Sequence, residues 1–337
     1  MTRFVNEFCI PTLPAAATLL ACAFFAGAQP VQAQDPYPSR PVKVLVPYAP
    51  GGATDIIARI VAAKLTESLG QSFLVENRPG ASGNLALEAV AKAPADGYTL
   101  FVGNVSTNTI NENIFANQLQ IKPSRDLVGI AKLVEIPHII ATTAGFPANS
   151  VADLIVLAKK EPGKINYASA SLGSYPHLDM EKLQRAAGIT LTHIPYKGGA
   201  GQMIPAIISG EAPVAFLNLS SALPQIRGGR MKAIATTAPG RLAELPNVPT
   251  MAEQGFPGIG TNAWQGMFAP AATPKPIIDK IYRSVAAVLT NSQMNEQLGK
   301  QMLDVTLSSS PAQFQQLVEK ETREWGDFLR EAKIKIE

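Results

Sequence analysis

The chain is poor in the residues from which catalytic and metal centres are usually assembled. Its two cysteines, Cys9 and Cys22, both lie within the first 22 residues, so the body can form neither a disulfide nor a cysteine metal site. The three histidines, His138, His177 and His193, are far apart in sequence. A Gly-x-Ser-x-Gly elbow, a Walker loop and a His-Glu-x-x-His motif are all missing. Gly258-Ile259-Gly260-Thr261-Asn262-Ala263 matches a dinucleotide fingerprint only formally, because it follows a proline-rich loop and precedes a strand. No cofactor and no metal are expected.

Charge is also scarce, at 16% of residues with a net +3, and the basic residues are scattered rather than clustered. That argues against a nucleic-acid partner and is compatible with a small anionic ligand. Past the N-terminus no stretch reaches the ~20 uninterrupted apolar residues that a membrane span needs. What is present is a 46% hydrophobic composition in 337 residues, which suits a folded protein with a large core and two domains.

The N-terminus reads as a secretory signal, residues 1–33. Arg3 supplies a weak basic start offset by Glu7, residues 13–28 form a short alanine-rich apolar run, and Val31-Gln32-Ala33 is a small-residue cleavage site. The competing reading is a lipoprotein anchored at Cys22 through Leu19-Leu20-Ala21-Cys22, although Phe24 and Phe25 are apolar where a tether should be polar. The mature protein is expected to be soluble and exported.

The body alternates strand and helix. Residues 42–46 are a β-branched and apolar run that enters Pro47-Tyr48-Ala49-Pro50-Gly51-Gly52 and then a helix whose apolar face is Ile56, Ile57, Ile60, Val61, Leu65 and Leu69, closed by Gly70. Such a turn exposes backbone N–H groups at a helix start and forms a cup for a carboxylate without a charged side chain. Strands at 72–75 and 98–103 flank a helix at 85–93. A second series has strands at 165–168, 190–194, 214–217 and 231–236, with helices at 151–160, 177–187, 202–209 and 222–227. Residues 239–260 read as a long surface connection, 263–269 as a strand and 277–289 as a helix. Ser310-Pro311-Ala312-Gln313 is a capping box opening a helix whose aromatic stripe is core packing. Repeated βαβ units predict sheets with helices on their faces, and ligands bind beyond the carboxyl ends of such strands. The strand-end loops are full of Gly, Ser, Thr and Asn, the inventory of a binder rather than of a nucleophile with its base. His177, at a helix start, can either offer a ring N–H to a ligand or cap that helix. His138 and His193 read as structural.

These motifs together resemble the Bug-type periplasmic solute-binding receptors of tripartite tricarboxylate transporters. The resemblance covers nearly the whole chain after residue 36. It is carried by Tyr37-Pro38-Ser39-Arg40-Pro41-Val42, residues 47–55, Glu76-Asn77-Arg78-Pro79-Gly80-Ala81-Ser82-Gly83-Asn84, Asp96-Gly97-Tyr98-Thr99-Leu100, Tyr167-Ala168-Ser169, Pro195-Tyr196-Lys197-Gly198-Gly199-Ala200, Ser221-Ala222-Leu223-Pro224, Val248-Pro249-Thr250 with Glu253-Gln254-Gly255, and Phe268-Ala269-Pro270. It implies an α/β fold of two domains, a periplasmic-binding-protein flytrap with a mainly parallel sheet in each. Residues 36–137 with 257–337 would form the first domain and 138–256 the second.

The resemblance further implies that the first loop, with Tyr48, Gly51, Gly52, Ala53, Thr54 and Asp55, holds a ligand carboxylate. Asn84, Ser106 and Thr107 would line the cleft. From the second domain, Ser169, Ser171, Gly173, Ser174 and His177 would answer, with Asn218. Family members often carry an acidic residue where Leu217 stands, so an amino-bearing ligand loses its partner if that position faces the cleft. The expected function is capture of a small di- or tricarboxylate or aromatic acid by a non-enzymatic monomer, for delivery to membrane transporter subunits. A receptor signalling to a sensor kinase and a hydrolase or lyase acting on a carboxylate are the alternatives.

Overall fold

The computed structural model describes residues 37–261 and 263–334, with Met1, Thr2 and Glu7. The apolar part of the expected signal, its cleavage site, the Cys22 box and Asn262 lie outside the described residues.

The first series folds as its periodicity predicts. β1 (Val42–Val46) leads into α1 (Ala53–Leu69), β2 (Phe73–Asn77), α2 (Asn84–Ala91) and β3 (Thr99–Asn104). β1 pairs in parallel with both β2 and β3. α1 ends because Gly70 adopts φ 70°, a left-handed conformation that glycine reaches without a Cβ clash, and its N–H closes on the Thr66 carbonyl. One π-type turn (Ser106–Ile110) follows β3, then the short α3 (Asn111–Ile114) and α4 (Pro123–Asp126).

β4 (Leu127–Ile136) and β5 (His138–Thr143) are separated by Pro137 alone, and there the chain leaves one sheet for the other. The second lobe contains α5 (Val151–Lys160), β6 (Asn166–Ser169), α6 (Tyr175–Ala187), β7 (Thr192–Pro195), α7 (Ala200–Ser209), β8 (Val214–Asn218), α8 (Leu219–Arg227) and β9 (Met231–Thr236). The chain then returns to the first lobe with β10 (Ala263–Pro270), α9 (Lys275–Leu289), α10 (Ser292–Gly299), β11 (Asp304–Val305) and α11 (Pro311–Glu331). The strand orders are β11-β4-β10-β3-β1-β2 and β7-β6-β8-β5-β9.

Both sheets are mixed. The parallel character expected from the βαβ units holds for β1–β3 and β6–β8, which carry the polar loops. β10 inserts antiparallel between β3 and β4, and β5 pairs antiparallel with β8 and β9. These partners lie far away in sequence, so local periodicity holds no trace of them. The connection at 239–260 is tied down rather than free. Met251 is buried, and Gln254 accepts from Val151 N–H while donating to the Ile234 carbonyl.

α11 closes the first core. Its N-cap Ser310 accepts from Gln313 N–H, and Phe314 packs edge-on against Trp264 at 5.3 Å. Cβ atoms at Gly129 and Gly266 would collide with the Phe314 ring, so glycine is required on both strands beneath it. Complete burial of that ring contributes about 2–3 kcal/mol. Glu321, on the same helix, accepts from Trp264 Nε1 at 2.8 Å, and burial pushes its carboxyl up to about 7.

Candidate functional site

The two lobes meet around a narrow cavity of about 30 Å³. From the first lobe it is lined by Tyr48, Gly52, Ala53, Thr54 and Asn104. From the second come Ala170, Tyr175, Pro176, Gly199, Ala200, Met203, Phe216, Leu217 and Asn218. These residues sit at the carboxyl ends of β1, β3, β6, β7 and β8 and on the loops and helix starts that follow. A larger open groove, between α1, α9 and α10 on the outer face of the first lobe, is lined by solvent-facing polar residues such as Lys64 and Glu67, which pair with each other.

The lobes are closed on one another. Ala49 N–H donates to the Gly198 carbonyl at 3.3 Å, Tyr175 N–H to Ser106 Oγ at 3.0 Å, and Ser82 Oγ to the Leu172 carbonyl at 3.1 Å. A Cβ on Gly201 would lie 2.8 Å from the Pro50 carbonyl oxygen, so this approach requires glycine.

Four helices begin at this cavity, α1, α6, α7 and α8, and none has a side-chain cap. At α1 the N–H groups of Ala53 and Thr54, and at α7 those of Ala200 and Gly201, have no acceptor among the described residues. Uncompensated first-turn donors with a helix dipole behind them favour an anion. The α1 and α7 ends are neighbours, since a Cβ on Gly52 would lie 3.7 Å from Ala200 Cβ. Tyr48 Oη donates to Asn104 Oδ1 at 3.2 Å, and burial pushes its phenol up to about 12, so it stays neutral. No Lys, Arg, His, Asp or Glu lines the cavity.

Of the residues expected from sequence, Tyr48, Gly52, Ala53, Thr54 and Asn218 line the cavity. The others lie around it in supporting positions. Asp55 is buried and accepts from Gly51 N–H (3.0 Å), Arg59 Nε (3.0 Å) and Asn77 Nδ2 (2.9 Å). Burial pushes its carboxyl up, but these hydrogen bonds outweigh that and hold it below the ordinary range. Its charge is thus neutralised beneath the loop rather than presented to the cavity. Asn84 Oδ1 accepts from Asn111, and Thr107 Oγ1 donates to Asn108 and accepts from Asn104 N–H. Ser106 bridges the lobes through Tyr175 N–H.

The serine loop turns inward. Ser169 and Ser174 both donate their hydroxyls to the Ser171 carbonyl, at 2.8 and 2.7 Å. Ser171 Oγ is buried without a partner, and Gly173 N–H donates to His177 Nδ1 at 3.1 Å. Hence His177 ties down its own loop. It stacks on His193 with centroids 4.0 Å apart, and Tyr167 stacks on both. Burial pushes His177 down to about 4, and burial together with the His177 charge pushes His193 down to about 3.

Ser169 Oγ lies 2.6 Å from His193 Nε2, a serine–histidine pair that sequence spacing does not announce. The same hydroxyl also donates to the Ser171 carbonyl, and the serine is fully buried, away from the cavity lining. The pair is a fastening of the loop.

Asn104 belongs to a strand-end polar run and is legible from that pattern. Gly199 and Ala200 belong to the glycine loop after β7, one of the motifs that carry the family resemblance, whereas Tyr175, Met203 and Phe216 carry no comparable signal.

Known proteins share this architecture. The sequence profile described as "Tripartite tricarboxylate transporter family receptor" matches residues 57–334. Protein BugT of Bordetella pertussis is 33% identical over 92% of this chain and 94% of its own length. The solved structure of R. palustris Rpa4515 with adipate is 34% identical, covers 89% of this chain and 99% of that one, and superposes with a TM-score of 0.84. MatC from Rhodopseudomonas palustris with bound malate is 33% identical, covers 86% and 99%, and has a TM-score of 0.81. With the profile spanning most of the chain and the two-lobed fold shared throughout, the protein belongs to the tripartite tricarboxylate transporter receptor family.

Proposed function

We propose that this protein is an exported, periplasmic receptor that captures a small carboxylate between its lobes and delivers it to a membrane transporter. The observation that carries this reading is the convergence of partnerless first-turn N–H groups from α1 and α7 on a cavity without charged side chains. Backbone donors in a closed, low-dielectric site bind an anion reversibly and leave no cation behind when it departs. Relatives solved with adipate and malate support the same chemistry.

In this reading residues 36–137 and 257–337 form one jaw, residues 138–256 the other, and the crossing at Pro137 is part of the hinge. Tyr48, Gly52, Ala53, Thr54, Asn104, Ala200 and Asn218 touch the ligand, while Asp55, Ser106, Ser169 and His177 hold the loops that do. The receptor works as a monomer after signal removal near Ala33 and catalyses nothing. Leu217 lines the cavity and supplies no negative charge for an ammonium group, so amino acids are poor ligands.

Titration calorimetry and thermal shift with a panel of carboxylates test the proposal. A carboxylate at 100 times its Kd should stabilise the protein by about 2.7 kcal/mol. A panel without any heat or shift contradicts it.

A further inference from the structure

α6 is shared between the two cores. In Tyr175-Pro176-His177-Leu178-Asp179-Met180-Glu181-Lys182-Leu183, residues three and four apart fall on common helix faces. Met180 and Leu183 are buried in the second-lobe core with Ile140, Tyr167 and Phe216. Tyr175 and Leu178 are buried in the first-lobe core with Val105, Trp264 and Trp325. Lys182 continues that stripe, and its Nζ lies over the α11 rings of Trp325 at 4.3 Å and Phe328 at 4.6 Å.

Asp179 stands between these faces and is fully buried. Its carboxyl accepts twice from Thr261, from the backbone N–H at Oδ2 (2.8 Å) and from Oγ1 at Oδ1 (2.9 Å). Thr261 lies just before β10, where the chain returns from the second lobe to the first. At the other crossing His138, the residue after Pro137, brings Nδ1 to 3.7 Å from Asp179 Oδ2, and its ring stacks on Tyr175 at 4.5 Å. A buried carboxyl without such donors is strongly disfavoured, so Asp179 ties α6 to the return crossing and keeps it beside the first one. The start of α6 is what the cavity sees: Tyr175 and Pro176 stand in its wall, and Tyr175 N–H reaches Ser106 of the opposite lobe.

Resting on the receptor reading above, we infer that Asp179 is a positioning residue for ligand capture. It lies outside the cavity lining and touches no ligand. Held by Thr261 and flanked by His138, it fixes the α6 start against both crossings and so sets where Tyr175 and Pro176 stand when the jaws close. Loosening this tie leaves the backbone donors of α1 and α7 intact and weakens the closed jaw, so a ligand arrives at the same rate and leaves faster.

Thr261→Val removes the Oγ1 donor at nearly constant shape and keeps the backbone N–H, whereas Thr261→Ser keeps both donors. In stopped-flow binding with malate and adipate as probes, the dissociation rate should rise about fivefold in Thr261→Val, the worth of one hydrogen bond, with association unchanged. Thr261→Ser should behave as wild type. Asp179→Asn, which retains one of the two acceptor oxygens, should act in the same direction and serves if Thr261→Val does not fold. In the ligand-free protein, hydrogen exchange of the Tyr175 amide should quicken by a similar factor while the β6 amides keep their rates. Lowered thermal stability with an unchanged dissociation rate makes Asp179 merely structural and overturns the inference, as does unchanged exchange at Tyr175. If neither malate, adipate nor any other carboxylate binds the wild-type protein, the receptor reading itself fails, and the exchange measurement alone decides whether Asp179 holds the α6 start.

Discussion

α5, α10 and α11 begin under a side-chain cap, from Ser150, Asn291 and Ser310, whereas α1, α6, α7 and α8, which begin at the cleft, have none. A cap satisfies one of the donors that every helix start leaves open and contributes about 1 kcal/mol to stability. At the cleft that stabilisation is absent, and glycine stands at the caps of α1 and α7. α2, α4 and α9 lack a side-chain cap as well, so what distinguishes α1 and α7 from them is an uncapped start that also lines the cleft. It also explains how a protein with so few charges at its cavity can recognise a charged molecule.

Filling the open end of α1 should break this distinction most severely. Gly52 has φ −85° and ψ 165°, a conformation that β-branched residues adopt easily, so Gly52→Val should fold normally. Its γ-methyl groups would occupy the space above the Ala53 and Thr54 N–H groups, and carboxylate affinity should fall at least a hundredfold by calorimetry, about 3 kcal/mol. Gly52→Ala, whose Cβ meets Ala200 at an ordinary 3.7 Å, should retain most of the affinity.

Acid should sharpen the contrast between the jaws. His177 and His193 sit in the second lobe with folded values near 4 and 3, below the 6.5 of a free imidazole. Their contribution is complete above pH 6.5 and is lost as pH falls toward 4, because the unfolded chain takes up protons the folded one refuses. Each accounts for about 3 kcal/mol over that window. Asp55 in the first lobe is also held low, but its contribution fades only below the ordinary carboxylate value of 3.8. Hydrogen exchange at pH 5 should therefore show loosening at residues 169–177 while the α1 turn remains protected.

A smaller effect is expected at Gly201. Its Cβ in Gly201→Ala would press on the Pro50 carbonyl from 2.8 Å and keep the jaws slightly apart. Affinity should drop roughly tenfold with thermal stability unchanged or raised, since alanine is the better helix former. Ser310→Ala is the smallest and the control: it should lower unfolding stability by about 1 kcal/mol and leave carboxylate affinity untouched.

Much of this was legible from sequence where the determinant is local. The Ser310-Pro311-Ala312-Gln313 box does open α11, and Gly70 does close α1. The first-lobe cup at residues 48–54 follows from a strand running into prolines and glycines. The antiparallel insertion of β10 was not legible, because its partners β3 and β4 lie more than a hundred residues upstream. The serine loop shows a different limit. Its composition marks a polar loop, but whether its hydroxyls face the cavity depends on the Ser171 carbonyl, which draws in both Ser169 and Ser174. In the proposed site the second-lobe donors are the backbone N–H groups of Ala200 and Gly201, which carry no side-chain polarity. Ala81 and Ser82, at φ 45° and 56°, likewise hold left-handed conformations that their identities do not forecast.

The most direct test of the open helix ends is a ¹H–¹⁵N amide titration with a bound carboxylate. Hydrogen bonding to an anion shifts an amide proton strongly downfield, so Ala53, Thr54 and Ala200 should move together, by more than any amide of residues 169–174. Shifts confined to the serine loop, or binding that leaves the α1 and α7 amides where they were, would contradict the account.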